Sequence, residues 1–223
     1  MSDADSFINE VTEEVRRDRL YGYLRRYGWV AVLVIAGIVG GTALDAYREA
    51  QARASAEALG DALIAALEQP EAPARAAALE VVPAQSSGGQ ALRDFLRAAE
   101  QTAAGQTEAA VEILDSISAN GDLPVIYRQI AGFKALTLQA DTLSVAERRL
   151  SFEALARPGA PLRPLAEEQL ALVELEEGDT DAAIARLQAL ANDAQAGAGL
   201  QQRARQAIVA LGGTLGVDGG GLE

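Results

Sequence analysis

The chain contains no cysteine and no histidine. These two absences remove disulfides, thiol catalysis, zinc sites built on Cys or His, and every catalytic triad that uses histidine as its base. A chain without cysteine also suits an oxidising exterior. Aromatic residues are scarce at 4%, and the alternating Val, Ile and Thr runs of half-buried strands are nearly absent. Alanine and leucine dominate instead, which predicts an all-α chain. No glycine loop has phosphate-binding spacing, no cluster of ligand types suggests a metal, and aromatics do not alternate with basic residues. The expectation is a protein that is not an enzyme, with no catalytic residues, no cofactor, no metal and no small-molecule substrate.

What is present begins with an apolar run. Gly28 to Leu44, GWVAVLVIAGIVGGTAL, is seventeen positions without a charge. As a helix it is about 26 Å long, a little under the hydrocarbon core of a bilayer. Val30, Val32, Leu33, Val34, Ile35, Ile38, Val39 and Leu44 each favour insertion by about 0.3 to 0.6 kcal/mol near the centre of a span. A single transmembrane helix over 28–44 is expected, with the membrane itself as a partner. Arg16, Arg17, Arg19, Arg25 and Arg26 precede it, and only Arg48 and Arg53 closely follow. Positive charge stays inside, so the N-terminus is placed on the cytoplasmic side and the larger C-terminal part outside. Tyr21, Tyr23, Tyr27 and Trp29 stand at one boundary and Tyr47 near the other. Cleavage at Ala50-Gln51-Ala52 is the competing reading, but that site lies beyond the apolar run in what reads as continuing helix, so an uncleaved anchor is expected.

Within the run, Gly37 and Gly41 form a G-x-x-x-G pair, with Ala36 and Gly40 as a second small pair beside it. Such spacing lets a neighbouring helix, including one from a second copy of the chain, approach closely in lipid. Before the run, residues 1–27 read as a cytosolic amphipathic segment with Phe7, Ile8, Val11 and Val15 on one face, and Gly22 is expected to interrupt its helix. The five arginines there nearly balance Asp3, Asp5, Glu10, Glu13, Glu14 and Asp18, so the exported part carries nearly all of the net charge of −13. An acidic exported domain is repelled by nucleic acid, which is therefore not expected as a partner.

Residues 45–82 read as a stalk helix, with Leu59, Leu63 and Leu67 on one stripe, followed past Pro70 and Pro73 by a short helix. PAQSSGGQ at 83–90 reads as a loop, and without a histidine Ser86 and Ser87 are not nucleophiles. Residues 83–211 then repeat. GQTEAAVEIL at 105–114 matches GDTDAAIARL at 178–187, and SVAERRL at 144–150 supplies a middle copy, so that Ala110, Ala146 and Ala183 align, as do Leu114, Leu150 and Leu187. A period near 34 residues built from helix pairs is the signature of tetratricopeptide arrays. The small residue lets the paired helix approach, and the large one fills the space between units. Helix pairs are predicted at 90–104 with 107–118, 123–140 with 144–156 and 161–177 with 180–193. Gly105 and Gly178 end first helices, 199–211 forms a capping helix, and residues 212–223 form a disordered tail. The acidic pairs Glu167/Glu168 and Glu176/Glu177 read as solvated faces.

The EVTEEVRRDRL segment, the RRYGW start of the span and the exported repeats together resemble the YfgM-like family, inner-membrane proteins with a tetratricopeptide-like periplasmic domain. The chain departs from standard tetratricopeptide repeats in having mostly aliphatic residues at their aromatic positions. The resemblance implies association with the SecYEG translocon and a PpiD-like periplasmic chaperone. The expected function is a membrane-anchored protein-binding module; the alternative is a structural subunit that docks through its span on a respiratory or other inner-membrane complex.

Overall fold

The computed structural model describes residues 3–214, with side chains from residue 25 onward except those of residues 27, 31 and 32. Among the described residues all regular structure is helical and there is no strand. By its contacts the chain divides into two units after Ala58.

The first unit is the greater part of α1 (Asp3–Leu67). The helix does not break at Gly22. A mid-helix glycine costs about 1 kcal/mol relative to alanine but keeps its N–H, whereas proline removes a hydrogen bond and costs about 3 kcal/mol. Every described side chain from Leu33 to Ala58 is exposed. Past the apolar run, Arg53 donates to Glu49 at 3.0 Å, an i,i+4 pair of the kind that supports an exposed helix.

The second unit begins at Leu59. The end of α1 places Leu63 and Ala66 in a cluster with Leu79 of α2 (Ala72–Glu80) and Val82, with Leu96 of α3 (Ser87–Ala103) packed against it. After this the core follows chain order. Ala98, Leu114 and Ala131 join α3 to α4 (Thr107–Ala119) and α5 (Val125–Leu138). Phe152 of α6 (Val145–Leu155) packs with Leu170 and Val173 of α7 (Arg163–Glu176), and Phe133 of α5 meets Phe152 edge to face with ring centroids 5.9 Å apart. Leu187 of α8 (Thr180–Ala191) and Ile208 of α9 (Ala198–Ala210) close the last cluster with Ala171. From α2 onward, the helices that pack most are neighbours in sequence.

Two of the expected helix ends are made by glycine. Gly105 and Gly178 have φ of 75° and 84°, a left-handed conformation that is costly for a residue with a Cβ. At each, the glycine N–H and the next N–H bond back to Thr102 and Gln101, or to Leu175 and Glu174, satisfying carbonyls that the helix leaves open.

The segment 83–90 is only partly a loop, because Ser87, Gly88, Gly89 and Gln90 are the first residues of α3. Ser86 caps that helix, its Oγ accepting from the Gly89 N–H at 3.1 Å. Of the tail, Gly212 to Thr214 are placed against the preceding helices, where Gln188 Nε2 donates to the Thr214 carbonyl at 3.0 Å. Residues 215–223 lie outside the described residues.

Candidate functional site

The helix starts decide which residues of the repeats face inward. Three residues into α4 and α8 stand Ala110 and Ala183, both with no exposed surface, and seven residues in stand Leu114 and Leu187, exposed by 1% and 3%. The same counts in α6 reach Arg148 and Phe152, which are buried. The expected Ala146 and Leu150 are instead exposed, Leu150 by 70%. The cause is a capping box: Ser144 Oγ accepts from the Glu147 N–H while the Glu147 carboxylate accepts from the Ser144 N–H. It fixes the first turn of α6, so the inward face lies two residues further on than the alanine and leucine identities suggest. The S-x-x-E pattern at 144–147 was the signal that carries this register.

Where α4 and α8 carry alanine, α6 carries an arginine, and α5 and α6 meet less closely than α3 and α4 or α7 and α8 do. A groove of about 450 Å³ opens along α5 and α6, bordered by Val125, Gly132, Leu136, Ala154 and Leu155. Arg128 and Gln129 also line it. The Nε of Arg128 and the Oε1 of Gln129 are buried without hydrogen-bond partners. A second cleft of about 470 Å³ lies on α7 and α8, and the charges within it are already paired.

The acidic neighbours at the two ends of α7 are paired with arginines, Glu167 and Glu168 half-buried and Glu176 and Glu177 on an exposed face as expected. Glu167 and Glu174 both bind Arg186 of α8, Glu168 binds Arg203 of α9 at 2.9 Å, Glu176 binds Arg148 and Glu177 binds Arg149, both of α6. Because adjacent residues on a helix point about 100° apart, each acidic pair reaches two different arginines. Glu174 is only 5% exposed, and the guanidinium of Arg186 donates to it at 2.6 and 3.0 Å. These bonds hold Arg186 still more firmly in its charged form, Glu174 first and Glu167 after it. At the far end of the same cleft Arg163 meets Asp193, whose carboxyl is held below the usual range, first by the Gln195 N–H and then by Arg163.

Among the described residues no group of three or more Asp or Glu is placed to hold a metal ion. No family model, curated protein or solved structure matches the chain. The surfaces of the chain offer grooves between helices, paired charges and an apolar helix.

That helix is α1. Among the described residues it is the one helix long and apolar enough to cross a membrane, its most apolar 18-residue window having a mean hydropathy of 1.9 with none of that window buried. Trp29, Leu33, Ile35, Ile38 and Val39 are each about 60% exposed. Ala36 is exposed as well, and a Cβ on Gly37, Gly40 or Gly41 would meet nothing within 4 Å. Arg25 and Arg26 are exposed. The side chains of Arg16, Arg17, Arg19 and Tyr27, and those of Phe7, Ile8, Val11 and Val15, lie outside the described ones.

Proposed function

We propose that the chain is a non-enzymatic protein-binding module, anchored in the bacterial inner membrane by residues 28–44 and carrying a tetratricopeptide-like α-solenoid on its periplasmic side. The observation that carries this reading is the order of the core in the second unit. Its apolar clusters follow one another along the chain, and the helices that pack are sequence neighbours. Such one-dimensional packing leaves long surfaces free for partners rather than enclosing a single catalytic cavity. The exposed apolar helix supports the anchor, since an all-round apolar surface is solvated better by lipid than by water. The excess of arginine ahead of it supports a cytoplasmic N-terminus.

The resemblance to the YfgM-like family supplies the partners: the SecYEG translocon and a PpiD-like chaperone, which the module would assist in handling exported polypeptides. Crosslinking of the full chain in intact cells, at native expression, is expected to recover translocon components. Their absence would sink this assignment. The open face of Gly37, Gly40 and Gly41 favours a second reading, a structural subunit that docks through its span on a respiratory or other inner-membrane complex. Mass spectrometry of what co-purifies in mild detergent separates the two.

A further inference from the structure

Arginines of the second unit are, with few exceptions, paired. Arg75, Arg93, Arg97, Arg148, Arg149, Arg163, Arg186 and Arg203 each lie within 4.0 Å of a carboxylate. Arg205 donates to the Ala191 carbonyl and Arg157 is exposed to water. Arg128 differs from all of these. It is half-buried in the groove along α5 and α6 and no carboxylate among the described residues lies against it; its Nε–H has no acceptor, as at Arg97 and Arg148, but those two each meet a carboxylate through another guanidinium nitrogen.

In a chain with an excess of thirteen negative charges, a guanidinium left without an anion in a partly apolar groove is costly unless something arrives to pair with it. Among the described residues Arg128 is the only charged one lining the groove. Beside it the Oε1 of Gln129 lacks a donor, and Val125, Leu136 and Leu155 offer apolar walls. One kind of occupant answers all three. A carboxylate meets the guanidinium, a main-chain N–H meets the glutamine oxygen, and an aliphatic side chain covers the walls.

The geometry points to the α5/α6 groove as a docking site for a polypeptide segment of a partner in which an acidic side chain sits next to aliphatic ones, with Arg128 as its charge-reading residue. This rests on the proposed role as a binding module and gives that role a specific surface. The groove lies along the middle pair, where α5 and α6 meet less closely than α4 and α5 or α6 and α7 do.

The test is a titration of detergent-solubilised full-length chain against a fluorescein-labelled peptide of repeated Leu-Ala-Glu units, with Leu-Ala-Gln and Leu-Ala-Lys peptides as comparisons. The glutamate peptide is expected to bind about tenfold or more tightly than the glutamine peptide, the scale of one charge-assisted hydrogen bond. Arg128→Gln should erase that difference, Arg128→Lys should restore part of it, and Arg128→Glu should turn the preference toward the lysine peptide. Ala154→Trp, at an exposed position on the groove wall, should weaken all three peptides, and Arg157→Gln should change none. Each variant is checked for wild-type helicity by circular dichroism, and the Lys and Glu exchanges keep the test informative if one variant folds poorly.

Equal binding of the glutamate and glutamine peptides, or a wild-type preference retained by Arg128→Gln, overturns the inference. So does a chain that binds no peptide but forms a dimer abolished by Ala154→Trp, which would make a second copy the occupant. Failure here with translocon components still crosslinked to the wild type leaves the binding-module reading standing. Success here without them removes only the assigned partners.

Discussion

A Cβ placed on Gly89, in the first turn of α3, would lie 2.8 Å from Cδ2 of Leu59 in the closing turns of α1 and 3.1 Å from the capping Oγ of Ser86. A glycine pair that reads as a loop by composition is thus in the first turn of a helix, and at Gly89 another helix presses on the bare backbone while Gly88 faces open space.

The same contact predicts a size-graded response. Alanine at 89 should be close to neutral, since its gain of about 0.5–1 kcal/mol in helix propensity offsets a clash with the mobile end of a leucine. Gly89→Leu has no such relief and should cost about 1–3 kcal/mol by overpacking. Thermal melts of both variants, in detergent, would show the ordering; a leucine variant as stable as wild type would mean that α1 and α3 do not meet as described.

The register of α6 can be read with two truncations. Phe152→Ala removes a ring with 2% exposure packed against Phe133, and is expected to cost about 3–5 kcal/mol. Leu150→Ala, at a residue 70% exposed, should stay within about 0.5 kcal/mol. Urea midpoints in the reverse order would restore the alanine and leucine alignment.

Arginines that look alike in sequence should differ in weight. Arg186→Met strands the buried carboxylate of Glu174, leaving it only Arg149 at 4.0 Å. Because Arg186 is itself 29% exposed, the cost expected is about 2–3 kcal/mol, below that of a fully buried pair. Arg203→Met breaks a pair whose arginine is 56% exposed, and should cost less than about 1 kcal/mol. Comparable losses from the two variants would contradict the burial of Glu174.

A pH dependence follows from the capping box. The Ser144 hydroxyl, and after it the Ser144 N–H, donate to the Glu147 carboxylate and hold it below its ordinary value of 4.5. A carboxyl depressed in the folded state stabilises the fold above its unfolded pKa, and that contribution is lost as pH falls through the folded value. Glu147→Gln should therefore melt below wild type at neutral pH, with the gap narrowing as the pH drops below 4.5. A gap of the same size at both ends of that range would mean that the carboxylate plays no part in the cap. Ser144→Ala should cost about 1 kcal/mol at neutral pH.

How much the residues alone determined follows from the range over which each signal acts. The all-helical class, the apolar run from Gly28 to Leu44 and the helix ends at Gly105 and Gly178 depend on propensity, hydropathy and backbone conformation within a few residues, and these are present in the sequence itself. Arg148 with Glu176 and Arg203 with Glu168 are separated by 28 and 35 residues. No local pattern says which of two adjacent glutamates each arginine will meet. Ala146 and Leu150 match their counterparts in identity and still face outward, because what counts is where the capping box starts the helix. The unpartnered Arg128 was equally silent, since a lack of partners is a property of the folded surroundings. Chain-local chemistry set the elements and the apolar segment; packing decided the register of the middle pair, the pairing of the charges and the groove that α5 and α6 leave open.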